Sequence, residues 1–110
     1  RVVRDGRSPG AAGEVEIAYE FLPLAQTPES ESLLRHYQAC AHELGLRIDS
    51  TFTGSCSDSG FVAAQGRPVV CAAGPVGALW HTPDEYAEIS TFVGRAQALA
   101  LAVMRLDAWG

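Results

Sequence analysis

A chain of 110 residues, 47% hydrophobic and 19% charged, has room for one modest packed domain and is too short for a large enzyme of several layers. Its net charge of −5, from 8 basic and 13 acidic residues, argues against a polyanionic partner. The one local basic excess, Arg1, Arg4 and Arg7, shares its segment with Pro9, Gly10 and Gly13 and reads as a frayed terminus, so no nucleic acid is expected.

No membrane partner is expected either: the longest strongly apolar run, near Ala96 to Val103, is too short to span a bilayer. Cys40, Cys56 and Cys71 are odd in number, far apart and never in a C-x-x-C pair. This disfavours a disulfide framework or a cysteine metal cluster and fits a reducing, cytoplasmic setting.

Along the chain, Val15, Ile17, Tyr19 and Phe21 alternate with Glu14, Glu16, Ala18 and Glu20, the period of a strand with one dry face, which Pro23 ends. Thr27 followed by Pro28 is an N-cap with proline at the first helical position, and Glu29 and Glu31 suit the positive end of the helix dipole. Leu33, Leu34, Tyr37, Cys40, Ala41 and Leu44 then recur at helical spacing until Gly45 stops the helix. Leu46, Ile48, Ser50 and Phe52 alternate with Arg47, Asp49 and Thr51, which completes strand, helix, strand.

The texture changes near residue 53. A loop of small polar residues, Thr53 to Gly60, leads into a short helix at Phe61 to Gln65 that Gly66 closes. The apolar run Pro68 to Ala73 predicts a strand buried on both faces. Phe92, Ala96, Leu99, Val103 and Leu106 form one stripe of a closing helix with Ser90 as its N-cap. The fold class expected is α/β (α+β), in two pieces divided near residue 53.

Each polar candidate has a plain reading beside its chemical one. His36 and His42 lie off the apolar stripe of the first helix and read as solvated, and His42-Glu43 does not extend into H-E-x-x-H. Glu14, Glu16 and Glu20 keep a strand face soluble. Thr82-Pro83-Asp84-Glu85 matches a capping box in which Thr82 caps the Glu85 amide and the glutamate reaches back. The Ser-rich loop could be an ordinary turn, or its backbone N–H groups could converge on a carboxylate or phosphate. His81, between a Gly-Pro turn and two acids, is structural or metal-binding on the residues alone.

Taken together, T-G-S-C-S-D-S-G-F-V-A-A-Q-G-R-P-V-V, then G-P-V-G-A-L-W-H-T-P-D-E-Y-A-E-I and an alanine-rich helix, resemble the C-terminal end of the di-zinc peptidase superfamily. That superfamily includes glutamate carboxypeptidases, aminoacylases and succinyl-diaminopimelate desuccinylase. The resemblance covers residues 14–106. It implies that 1–53 close a lid, or dimerisation, domain and that 54–110 are the last, helix-strand-helix part of a zinc-peptidase catalytic domain.

It further implies that His81 ligates one of two zinc ions and that Gly54, Ser57 and Asp58 meet the substrate, a small peptide or an N-acyl amino acid. Ser55-Cys56 stands where glycines are common and Ser59 where alanine is usual, and Leu22 replaces an arginine that some members carry before the residue matched to Pro23. The family's other metal ligands and its general base have no counterpart in these residues, so no catalytic residue is assigned and the chain alone is expected to be inactive. Two function classes follow: part of a zinc-dependent metallopeptidase or amidohydrolase that hydrolyses amide bonds, or a self-standing, non-catalytic α/β binding or dimerisation module that self-associates. An exposed His81 beside the Ser57 loop favours the first, and a buried one the second.

Overall fold

The computed structural model describes residues 16–18 and 20–109. The basic segment at Arg1 to Arg7 and positions Val15 and Tyr19 of the first expected strand lie outside them.

Helix α1 spans Pro28–Glu43. The Thr27 hydroxyl accepts the Ser30 amide at 3.2 Å, and Glu29 and Glu31 occupy the first turn, as the sequence predicts. At its other end Gly45 adopts φ 74°, a left-handed conformation that a β-carbon disfavours. That turn lets Gly45 donate to the His42 carbonyl and Leu46 to the Ala41 carbonyl, satisfying two of the last carbonyls of the helix. Helix α2 is a single turn, Ser59–Ala63, beginning two residues earlier than expected.

Helix α3 spans Phe92–Met104 after a 3-10 turn at Ile89–Thr91, and a second such turn follows at Leu106–Ala108. Ser90 is therefore not the N-cap. Thr91 holds that position, and its hydroxyl is drawn away from capping because it accepts the Val76 amide and donates to the Glu88 carbonyl.

The core is the α1–α3 contact: Tyr37, Cys40 and Ala41 meet Ala98 and Ala102, with Leu46, Ile48, Val70, Ala73 and Leu101 partly buried around them. Alanines let the helix backbones approach closely, so α3 buries its small-residue face rather than the expected stripe. Phe92, Leu99, Val103 and Leu106 remain 41–58% exposed. Polar links across the same contact include His36, whose Nε2 lies 2.9 Å from the Ala102 carbonyl. His36 is thus half-buried between helices, not on a solvated face. Arg105 pairs with Glu43 through both carboxylate oxygens, and the Trp109 indole donates to the Ser32 hydroxyl.

The strands differ most from expectation. Among the described residues the one sheet is a two-stranded antiparallel pair, β1 (Gly77–Ala78) with β2 (Tyr86–Ala87), in register Gly77 to Ala87 and Ala78 to Tyr86. Residues 16–18 and 20–21 and residues 46–52 carry no ladder. Ile17 and Phe52 are 71% and 94% exposed, so the alternation there has no partner strand among the described residues to act on. The run from Pro68 to Ala73 lies along α1, with the Val69 amide on the Ser30 hydroxyl and the Tyr37 hydroxyl on the Ala73 carbonyl. Ala72, at φ 58°, breaks its pleat, so it is an extended segment and not a strand. The architecture is α+β: a helix pair with a short hairpin at one side.

Gly60 sets how the N-terminal residues meet α2. A β-carbon there would collide with the Leu22 carbonyl, and the approach is backed by Phe21 and Phe61, whose ring centroids are 6.0 Å apart. No helix among the described residues is long and apolar enough to cross a membrane.

Candidate functional site

His81 sits in the loop that joins β1 to β2. The hairpin is short, and its base is clamped to the start of α3. The Glu88 amide donates to the Val76 carbonyl at 2.8 Å, the Val76 amide to the Thr91 hydroxyl at 3.0 Å, and the Arg95 guanidinium to the Gly74 carbonyl at 2.8 Å. Gly77 permits the pairing, because a β-carbon there would press on the Tyr86 carbonyl. Val76 and Glu88 extend the same pairing by one step toward the clamp.

The loop itself is tightly bonded. Leu79 and His81 both take left-handed backbone angles, φ 61° and 65°, which cost a non-glycine residue on the order of 1–2 kcal/mol each. Three bonds offset that cost. The Thr82 amide and hydroxyl both donate to the Leu79 carbonyl, at 3.2 and 2.7 Å, and the His81 amide donates to Glu85 Oε2 at 3.1 Å.

The expected capping box is therefore replaced by a turn. The Glu85 amide bonds the Thr82 carbonyl rather than its hydroxyl, no helix begins there, and Glu85 reaches back to His81 instead of Thr82. The Leu79 carbonyl, three residues back, takes the threonine hydroxyl at 2.7 Å, which turns the side chain toward the loop and away from the Glu85 amide. The whole loop from Leu79 to Glu85 is exposed, the His81 ring with it.

Beside the hairpin runs an open groove of about 580 Å³, walled by Ala72, Gly74, Pro75, Gly77, Trp80, Glu85, Tyr86 and Ala87. It is open to solvent, and of its lining residues all but Gly77 are exposed. The walls are mainly apolar and aromatic, with the Glu85 carboxylate as their charged group.

The Ser-rich loop approaches the same region through Cys71. Ser57 Oγ lies 3.2 Å from Cys71 Sγ, and Cys71 precedes Ala72 of the groove wall. Hydrogen bonds from Ser57, then Ser59, with a smaller contribution from the Ala72 backbone, hold the Cys71 thiol below its ordinary range against the opposing effect of partial burial. Within the loop the Ser59 amide donates to Ser57 Oγ and the Gly60 amide to the Ser57 carbonyl, so these two donors are already engaged. Gly54 and Asp58 are exposed, and Asp58 stands at the N-terminus of α2 without a side-chain cap bond. The Ser57–Cys71 contact spans 14 positions, and no local pattern announces it.

Among the described residues no three His, Cys, Asp or Glu side chains stand together as a metal site. A second groove, about 570 Å³, lies at the end of α1 and includes Gln38, His42 and Arg47. No curated protein and no solved structure matches the chain. The model of peptidase family M20/M25/M40 matches residues 3–105.

Proposed function

The chain belongs to peptidase family M20/M25/M40, and from that premise we propose that it is part of a metal-dependent peptidase or amidohydrolase acting on the amide bond of small peptides or N-acyl amino acids. In this reading residues 1–53 belong to a lid or dimerisation domain and 54–110 to the catalytic domain. The observation that carries it is the exposed His81 at the hairpin tip, inside a family match that spans nearly the whole chain.

Peptidases of this family are generally metal-dependent, but the described residues do not make a zinc site by themselves. A catalytic zinc takes about three protein ligands and an open position, and no such group is present among them. His81 is one imidazole donor to a site whose other ligands lie outside the described residues. A bound metal would polarise the scissile carbonyl and supply the nucleophilic hydroxide.

The chain's own residues have simpler tasks. The loop holds the imidazole out into solvent, and the groove walled by Trp80 and Tyr86 receives an apolar part of the substrate. The loop of Gly54, Ser57 and Asp58 stands near the substrate, and its backbone N–H groups, not the Asp58 carboxylate, meet the substrate carboxylate. The chain Ser57, Cys71, Ala72, groove wall supports a common location for loop and hairpin.

The reading of a non-catalytic binding or dimerisation module draws on the exposed apolar face of α3. The exposure of His81 weighs against it. The deciding experiment assays the chain with added zinc against a series of N-acyl amino acids and follows the His81 ring by NMR. We expect no turnover, and weak zinc perturbation of the His81 ring that disappears in His81→Ala. Turnover lost with a chelator and with His81→Ala would show that the chain is a complete enzyme, and an unperturbed ring would remove His81 as a ligand.

A further inference from the structure

We propose that Glu85 is the positioning residue for His81, acting on its backbone and not on its ring. This deepens the reading of His81 as a metal donor and rests on it for its function, although the geometry stands without it. His81 at φ 65° directs its side chain differently from a residue in extended or right-handed backbone, so its aim depends on what holds the left-handed state. The bond from the His81 amide to Glu85 Oε2, 3.1 Å long, is the side-chain contact that does so. Glu85 is itself held: its amide bonds the Thr82 carbonyl, and the next residue, Tyr86, is locked in the sheet opposite Ala78. The carboxylate therefore ties the His81 end of the loop to the end held in the sheet. Because Glu85 grips the amide, the imidazole keeps both ring nitrogens available for chemistry.

Thr82 has a separate part. Its hydroxyl closes the Leu79 turn at 2.7 Å, one step earlier in the loop, and does not touch the His81 amide. Loss of Thr82 loosens the turn, whereas loss of Glu85 releases the histidine backbone while the turn persists.

The test compares Glu85→Ala, Glu85→Gln and Glu85→Asp in the intact chain by NMR. The readouts are the φ angle at His81 from scalar couplings and the solvent-exchange rate of its amide, with Ala41 and Ala102 amides as controls for the fold. Glutamine keeps an acceptor oxygen at the same reach, so it should preserve φ and exchange within about twofold. Alanine should speed His81 exchange at least severalfold and return φ to negative values with the controls unchanged. Aspartate, one methylene shorter, should behave like alanine and serves in its place if the alanine variant does not fold. A His81 amide equally slow in alanine and wild type, or glutamine failing as alanine does, would overturn the proposal. Zinc titration of the same samples separates the two ideas. Absence of zinc perturbation at the His81 ring in wild type sinks the metal reading and leaves the backbone latch as measured.

Discussion

His36 Nε2 and the Ala102 carbonyl are 2.9 Å apart across the α1–α3 contact. Ala102 lies in the last turn of α3, where helix carbonyls lack intrahelical partners, so a side chain from α1 supplies what the helix cannot. The bond ties the register of one helix to the end of the other. Replacing His36 with alanine should cost about 0.5–1.5 kcal/mol, with the larger value if the carbonyl stays dry. Denaturant unfolding of the variant measures it, and an unchanged midpoint would mean that water takes the place of the ring.

Gly60→Ala tests the seat of α2. Its new methyl would meet the Leu22 carbonyl, a backbone atom that cannot swing aside, so the Leu22 segment must lift. The Phe21–Phe61 contact should be lost with it. Faster proteolysis within residues 20–26 is the expected outcome, with little change in the melting of the helix pair.

Cys71 should be the subject of a pH effect. The Ser57 hydroxyl stabilises the thiolate, so alkylation by iodoacetamide should proceed at lower pH than for an ordinary thiol, and Ser57→Ala should slow it severalfold at neutral pH. The sign for stability follows from the lowered folded-state pKa. The contribution is present above the pKa of the unfolded thiol and is lost as pH falls through the folded value. Peptide mass spectrometry across a pH series reads the alkylation rate, and equal rates for wild type and variant would show that the hydroxyl does not govern ionisation.

The exposed face of α3 should make the chain self-associate. Phe92, Leu99 and Val103 lie along one face at helical spacing, 45–58% exposed, and Val93 and Met104 add 68% and 80% exposed apolar surface nearby. Sedimentation should find dimers or larger species, and Leu99→Glu with Val103→Glu should shift them toward monomer. A monodisperse wild-type monomer with one sharp thermal transition would contradict this.

What was legible in the sequence is what depends on near neighbours. The start of α1 at Thr27 and Pro28, its end at Gly45 and the short helix before Gly66 are set by backbone groups within a few residues. Those groups bond the same way in any surroundings. Nearness alone was not enough at Thr82–Glu85, where a capping-box pattern forms a turn instead because the Thr82 hydroxyl bonds the Leu79 carbonyl and Glu85 reaches His81. What needs a distant partner was not legible. Alternation in 46–52 says which side chains share a face but cannot supply the strand that would pair with it, and among the described residues the segment carries no ladder. Hydrophobic spacing in α3 pointed to its large residues, yet the contact chosen uses Ala98 and Ala102, because close approach to Ala41 and Cys40 is possible only along a face without bulk. The bond between Ser57 and Cys71 and the hold of His36 on α3 belong to that second kind, made by parts of the chain that meet only when the helices pack.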